Sequence, residues 1–445
     1  MVQAALAVAT GLDSPARGPK ERVTQATLLS DELLRRLISV GQVDIVMGVP
    51  TLDHAETIAG TLDVVDRGLV RHFPRARTVV ICADGGSHDQ TLQIVANPKS
   101  AGAGAPDGGL RTRHRIGASY RGLPGRAGAI RLIFTAADLL QAQTVAVLDP
   151  DAPGLVPEWV SALLEPISTH SLDIVAGVYA RHPLEGLLGT QLIRPLMRGA
   201  YGRQFEQPLL GSFGCSRRFV AGCLSQDVWD RSPISNGIDV WLAGTALSGD
   251  YHAAQVPLGR LVAPSRPGPG LQDVFAPLVG ALFATLDRHA GMWLQDGRLT
   301  PVPLIGRGDT PPLDVDAASS IGSGLGGTFR EDVRNLRPVL EQILAADTVA
   351  SLSAMADDES AAVIRYDDEL WVATVYDFVA AYHHGVMDRM HIVQALMPLY
   401  LGRVTSFVGE HAQAPIADAE QHLERLSEAF ERRRQYLIDR WHRTT

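Results

Sequence analysis

The sequence is poor in several things, and each shortage narrows what the protein can be. Only 3 of its 445 residues are cysteine (Cys82, Cys215 and Cys223), an odd count at spacings that suit neither a disulfide frame nor a zinc site. Basic residues are outnumbered, 40 Lys and Arg against 49 Asp and Glu, so the formal charge is −9. Nucleic-acid binders usually carry a basic excess or stripe, and that partner class is disfavoured. The longest apolar run, Val274 to Leu286, is 13 residues long, contains Pro277 and Gly280, and is too short to span a bilayer. It reads as a core helix. Met1 to Thr10 lacks a positive n-region and a small-residue cleavage pattern, so no signal peptide is read there. There is no P-loop, no His-x-x-x-His and no Gly-x-Ser-x-Gly, and Gly102-Ala103-Gly104 follows no strand, which excludes a dinucleotide fingerprint. The expectation is a soluble cytoplasmic protein with neither a nucleic-acid nor a membrane partner.

What is present is material for a large core: 46% of residues are hydrophobic and 20% charged, enough for two or three domains. Residues 1–40 read as a mobile tail and one amphipathic helix, with Leu28, Leu29, Leu33, Leu34, Leu37 and Ile38 at helical spacing and Gly41 placed to stop it. From 41 to 295 short apolar runs alternate with helical stretches. The runs Val43–Val49, Thr78–Ala83, Thr144–Leu148 and Asp173–Tyr179 read as strands, with another over Leu258–Val262. That alternation predicts βαβ units, a mainly parallel sheet and ligand chemistry at the carboxyl ends of the strands. Residues 296–330, rich in Pro, Gly and Ser, read as a linker or lid loop, and 331–445 as wholly helical. Near the end Ala419, Leu423, Leu426, Phe430, Leu437 and Trp441 share one apolar stripe, which favours a homodimer.

The first three strand ends carry the residues of interest. Asp149-Pro150-Asp151 puts two carboxylates where they can hold a divalent cation against a diphosphate or orient sugar hydroxyls; the same tripeptide also serves as a turn and a helix cap. Asp84-Gly-Gly-Ser87-His-Asp89 and Pro50-Thr51-Leu52-Asp53-His54-Ala55-Glu56 have the same two readings, nucleotide pocket or strand-to-helix turn, with Ser87 or Asp89 as the cap in the first. Arg126, in Gly125-Arg-Ala-Gly128, can clamp a phosphate or lie solvated on the surface. Asp239 enters an apolar run, where an acid needs either a partner or a helix N-terminus.

In their order along the chain these motifs resemble retaining glycosyltransferases of the GT-A fold, with glucosyl-3-phosphoglycerate synthase and mannosylglycerate synthase as the nearest groups. The likeness runs from Pro50–Ile58 through Asp84–Thr91, Pro124–Arg126, Leu148–Asp151, Gln207–Gly211 and Asn236–Asp239 to Gln255–Gly259. It implies a Rossmann-like, mostly parallel α/β sheet of the nucleotide-diphospho-sugar transferase type with a C-terminal helical extension. It also implies roles. Pro50, Thr51, Leu52, Asp53, Asp84 and Ser87 would hold the nucleoside; Arg126, Asp149 and Asp151 the diphosphate, ribose and any metal. Asp239, Arg126 and Asp151 would carry catalysis, and Thr190 and Gly211 the acceptor. Three positions depart from the pattern. The family's metal-binding His is Ala263 here, a neighbouring Arg is Leu261, and the Arg that grips phosphoglycerate is Leu188. The departures weaken a Mg or Mn site on Asp151 and point away from a phosphorylated acceptor.

The resemblance thus implies transfer of a sugar from a nucleoside-diphosphate sugar, GDP favoured over UDP, to a small soluble acceptor with retention. Composition rich in Ala, Arg, Asp, Gly and Pro suits an actinomycete, and one activity of this kind is S-glycosylation of ergothioneine by an octose in lincosamide antibiotic biosynthesis. The alternatives are a glucosyl- or mannosylglycerate-type synthase for compatible solutes, a sugar-1-phosphate nucleotidylyltransferase and a non-catalytic nucleotide-sugar-binding relative. The nucleotidylyltransferase needs a Gly-rich basic loop after the first strand, where this chain has Pro50-Thr51-Leu52-Asp53.

Overall fold

A computed structural model describes residues 28–97, 112–120, 125–152, 154–230, 233–260, 270–295, 301–306, 325–358 and 364–443. In chain order its elements begin α1 (Asp31–Val40), β1 (Ile45–Thr51), α2 (Ile58–His72), β2 (Arg77–Asp84), α3 (Thr91–Ala96) and β3 (Thr112–Ser119). Next come α4 (Arg126–Leu139), β4 (Thr144–Val147), α5 (Glu158–Thr169), β5 (Ile174–Ala180), α6 (Arg194–Tyr201), β6 (Phe213–Ser216) and α7 (Arg217–Leu224). They continue with α8 (Ile238–Ser248), β7 (Ala253–Arg260), α9 (Leu271–Arg288) and α10 (Ala290–Trp293). The remainder is helical: α11 (Leu325–Ile343), α12 (Ala346–Asp357), α13 (Asp368–His384), α14 (Arg389–His411), α15 (Ile416–Arg432) and α16 (Arg434–His442).

The sheet order is β3-β2-β1-β4-β6-β5-β7. β1 pairs in parallel with β2 and β4, and β2 with β3, whereas β6 runs antiparallel to β4 and β5. The expected class, a mostly parallel α/β sheet followed by a helical C-terminal region, is the one observed. β1 and β4 are buried along their whole length; a strand covered on both faces must be a continuous apolar run, which is why these two are visible in the sequence. Gly48, in the middle of β1, lets α4 lie close: a Cβ there would meet Ile133 Cγ2 at 2.5 Å. α1 begins at Ser30, whose hydroxyl accepts from Leu33 N, and ends at Gly41 with φ +73°.

The chain divides into two compact units, Met1–Ala176 with Gly211–Arg231, and Gly177–Leu210 with Ser232–Thr445. This division differs from the one expected at 41–295, 296–330 and 331–445. Residues 177–210 belong with the C-terminal helices because α6 packs on α15, with Arg198 bonded to Glu424 and Glu431 at 2.5 and 2.9 Å. Only parts of the expected 296–330 linker lie among the described residues. Residues 301–306 run beside β7, with Leu304 bridged to Gln255, and α11 already begins at Leu325; the rest of that stretch lies outside the described residues.

The terminal apolar stripe falls on two helices, α15 and α16, and all six of its residues are buried within the second unit. Phe430 meets Tyr376 edge-on and Trp441 meets Trp293 edge-on. The stripe therefore offers no uncovered face to a second subunit. One described helix, α14, is long and apolar enough to cross a membrane, and 67% of that apolar window is buried inside the protein, as in a core helix. All three cysteines are free and buried, and burial pushes the Cys82 thiol up to about 12.

Candidate functional site

In the first unit the chain steps outward from β1 to β2 and β3 and then crosses back to β4 on the other side of β1, so the strand order reverses between β1 and β4. Open parallel sheets bind ligands outside the carboxyl ends of strands at such a reversal. The residues there are Thr51 to His54 after β1 and Asp149 to Asp151 after β4. His54 Nε2 lies 2.9 Å from Asp151 Oδ2 and spans that point. His54 Nδ1 accepts from Leu52 N at 2.8 Å, which fixes the ring proton on Nε2 and makes the imidazole the donor to Asp151. The other oxygen of Asp151 accepts from Thr57 Oγ1 at 3.3 Å. Thr57 stands at the N-terminus of α2 with its hydroxyl aimed at Asp151 rather than at its own helix. Asp151 keeps 41% of its side chain exposed.

Asp84 is built differently. It is wholly buried, and its carboxylate accepts from Thr51 Oγ1 (3.1 Å), Ser87 Oγ (2.5 Å), Gly86 N (3.0 Å) and Ser87 N (2.9 Å). Gly86 has φ +98°, a conformation L side chains rarely adopt, and this curl turns both amides onto one carboxylate. Ser87 Oγ in turn accepts from Asp53 N at 2.8 Å, and Asp53 Oδ1 accepts from His88 N at 2.7 Å. Asp53 itself has φ +54°, so the β1 loop is held in a costly conformation by partners on the β2 loop. Asp89 adds a second tie, accepting from Ala55 N and Thr91 N at 2.9 Å each. An unbroken path of hydrogen bonds and short backbone steps thus runs from Asp84 through Ser87, Asp53 and His54 to Asp151. The three strand tips converge.

Asp149 closes a turn, its Oδ1 accepting from Asp151 N at 3.0 Å while Ser212 Oγ accepts from its own amide at 3.2 Å. Neither acid caps α5, whose N-terminal residue is Pro157 without a side-chain cap. Arg126 opens α4 and donates to Gly211 O at 2.6 Å, so two residues singled out separately in the sequence meet. Just before it, the Tyr120 hydroxyl donates to Gly125 O (2.7 Å) and accepts from Gly125 N (2.9 Å), and burial raises its pKa. Pro50 and Thr51 are buried within β1, while Leu52 exposes 45% of its side chain at the loop tip.

The two carboxylates fit a loosely held divalent cation. They supply two protein oxygen groups on one turn, and Mg2+ commonly binds through one or two carboxylates plus substrate phosphates. His54 is not a ligand in this arrangement, because its Nδ1 is taken by Leu52 N and its Nε2 bears the proton. Ala263 and Leu261, the departures that bear on metal binding, lie outside the described residues, as does Pro124.

The remaining two sequence-predicted residues belong to the second unit. Asp239 sits in the first turn of α8, half-buried, where an acid faces the positive helix end. Thr190 lines a cavity of about 820 Å³ together with Arg181, Leu188, Arg194, Gln207 and Glu424. Its hydroxyl and Arg181 Nε are buried without a hydrogen-bond partner. Burial lowers the Arg181 pKa. Leu188 lines this cavity, and Arg181 brings a guanidinium to it from 7 residues upstream. Sequence reasoning missed Thr57 and Arg181; it placed His54 and Asp89 within the strand-end motifs without the contacts they make.

No protein-family model and no curated protein sequence matches the chain. Among solved structures it is similar to glucosyl-3-phosphoglycerate synthase from Mycobacterium tuberculosis in complex with phosphoglyceric acid, at 19% identity over 59% of this chain and 84% of that one, with a TM-score of 0.40. A second structure of that enzyme matches at 21% identity, covering 58% and 85%, with a TM-score of 0.40. Its complex with Mn2+, uridine diphosphate and glucosyl-3-phosphoglycerate matches at 20% identity, covering 63% and 87%, with a TM-score of 0.39.

Proposed function

We propose that the chain is a glycosyltransferase that moves a sugar from a nucleoside-diphosphate sugar to a small soluble acceptor with retention at the anomeric carbon. The observation that carries this reading is the His54–Asp151 contact across the reversal point of the sheet, tied to Asp84 through the two neighbouring loops. The exposed Asp151 carboxylate stands beside the β1 and β2 loops there.

Asp84 acts through the loop it shapes. Its oxygens organise residues 84–87 and hold the Thr51–Asp53 turn in place, so the nucleoside meets backbone groups and the exposed Leu52. Asp149 and Asp151 would hold a Mg2+ or Mn2+ ion, which supplies charge neutralisation for a leaving diphosphate. Arg126, anchored on Gly211 O, is the cationic side chain for that same developing charge. No residue is assigned as a nucleophile. In a front-face transfer the departing phosphate oxygen takes the acceptor proton, and the protein contributes position and electrostatics. Asp239 has the role of orienting the donor sugar.

The cavity of the second unit suits the acceptor. Arg181, whose Nε has no hydrogen-bond partner although Glu185 lies within electrostatic reach, suits an anionic group. Arg194 is already neutralised by Glu206 and Glu424 at 2.9 Å each. Glu185, which no arginine among the described residues engages by a hydrogen bond, suits a cationic group, so a zwitterion fits the lining best. Ergothioneine, a zwitterionic thiol, is one such acceptor, and a GDP-sugar is the donor favoured by the resemblance.

Incubation with GDP- and UDP-sugars against a panel of polyols, zwitterionic thiols and phosphorylated acids tests the reading. The expected result is acceptor-dependent release of nucleoside diphosphate, largest with a zwitterion and reduced by Arg181→Leu in KM more than in kcat. Pyrophosphate release from a nucleoside triphosphate and sugar phosphate, with no transfer, would overturn it.

A further inference from the structure

We infer that Glu410, His411 and His422 form a binding site for a zinc-class transition-metal ion at the corner where α14 turns into α15. Glu410 and His411 are the last two residues of α14, and His422 lies on α15. His411 Nε2 is 2.7 Å from His422 Nδ1. A Glu410 carboxylate oxygen stands 3.6 Å from His422 Nδ1 and 3.9 Å from His411 Nε2. All three donor atoms lie within 4.8 Å of one another, and among the described residues this is the group of His, Cys, Asp and Glu donors that does so. Around a tetrahedral zinc with bonds of about 2.0–2.1 Å, neighbouring ligand atoms stand roughly 3.4 Å apart. The imidazole pair needs to part by roughly half an ångström, and the carboxylate to swing in, to meet that geometry.

Two further observations point to a ligand. The imidazole side chains are 7% and 11% exposed, yet hydrogen bonding satisfies only one of them fully. His422 uses both ring nitrogens; His411 spends Nε2 on His422, and its Nδ1, on the side of the ring away from the proposed ion, has no partner. Two imidazoles facing each other with a single proton between them are a poor use of buried polar groups; a cation in place of that proton engages both lone pairs. The second observation is how His422 is held. Its Nε2 faces Asp368 Oδ1 at 3.0 Å, with Arg403 Nη2 3.3 Å away, and Asp368 is fixed by Arg403 at 2.6 Å. Arg403, 1% exposed, is itself bonded to Gln191 Oε1 at 2.9 Å and Tyr366 O at 2.5 Å. A carboxylate on the far nitrogen of a ligating histidine fixes its tautomer and ring plane, and this arrangement accompanies most histidine metal ligands.

Two imidazole nitrogens and one carboxylate select Zn2+ or a close relative over Mg2+ and Ca2+, which take oxygen ligands. The Glu410 side is open, its side chain 62% exposed, leaving a fourth position for water. The ion would staple α14 to α15. Tyr400, Leu401 and Val404 on α14, and Glu420, Leu423 and Glu424 on α15, line the cavity of the second unit, so occupancy also sets the spacing of that wall.

The full chain, stripped with a chelator and dialysed, is titrated with ZnCl2 by calorimetry and with CoCl2 by visible absorption. The inference predicts about one ion per chain, a higher Tm on reloading, and cobalt bands of tetrahedral intensity. Glu410→Gln, at an exposed position that leaves packing intact, should weaken zinc binding about tenfold, and Asp368→Asn by about 10- to 100-fold. His422→Gln, which keeps a donor for Asp368, should abolish it. Absence of stoichiometric uptake by the folded wild type overturns the inference. So does unchanged affinity in folded Glu410→Gln and His422→Gln.

Discussion

Each of the two units sets a histidine against an aspartate, and they do so at opposite depths. At the strand ends His54 meets Asp151 at 2.9 Å with the carboxylate 41% exposed. In the helical region His422 meets Asp368 at 3.0 Å beneath the surface, backed by an arginine whose side chain is 2% exposed. A half-exposed pair in water contributes little to stability but leaves its carboxylate open to a ligand. A buried charged network contributes little net stability when whole, yet losing one member strands the others without solvent. Stability should therefore sit in the second arrangement and ligand recognition in the first, and substitutions can break that contrast.

The largest expected effect is on Arg403. Arg403→Met leaves Asp368, Gln191 Oε1 and Tyr366 O without their buried donor, and should cost about 3–5 kcal/mol in a urea titration. Asp84→Ala comes next, because Asp84 resembles the helical network in burial although it sits in the strand-end region. Removing the acceptor of four hydrogen bonds should cost about 3 kcal/mol and loosen the 84–89 loop to proteolysis. If Asp84→Ala were as mild as a surface change, depth would not be what separates the two regions.

A pH series sharpens the same contrast. His289, at the end of α9, faces Tyr201 Oη at 3.1 Å, and burial, helped by Arg288, lowers its pKa from 6.5 to about 4. Above pH 6.5 the ring is neutral folded or unfolded. As the pH falls from 6.5 towards 4 only the unfolded chain takes up the proton, so stability is lost across that window, by up to about 3 kcal/mol. His289→Gln should flatten the urea midpoint against pH between these values relative to the wild type. At the small end, Asp151→Asn should change unfolding free energy by less than about 0.5 kcal/mol. The same substitution should lower kcat/KM for sugar transfer by about 10²–10³-fold. A large stability loss there would remove the distinction.

The sequence showed most of the sheet and only part of the site. β1, β2, β4 and β5 are continuous apolar runs because both faces are covered. β3, Thr112–Ser119, escaped notice because it lies at the sheet edge and carries Arg113, His114 and Arg115. β6 is four residues with a glycine, too short to leave a pattern. β7 begins at Ala253 rather than Leu258 because Gln255 and Pro257 hide its apolar character; Gln255 is buried and spends its side chain on Glu206 N and Val302 O. The acids at the strand ends were visible because Asp and Gly punctuate the runs. Arg181 was not, since an isolated arginine has no spacing to betray it, and His54 stood in the first-strand loop with nothing to show its contact with Asp151. Asp84 was visible as a residue but not in its use, because a ligand carboxylate and a loop-organising one look alike until their hydrogen bonds are seen.

Calorimetric titration of the full chain with GDP and with UDP, in the presence of Mg2+, on the wild type and on Asp151→Asn is the most direct measurement. The prediction is a single site for one of the two nucleotides, weakened about tenfold or more in the variant while the urea midpoint stays put. Failure of the folded wild type to bind either diphosphate, or equal affinity in the variant, would contradict the placement of a nucleotide-sugar site at these strand ends.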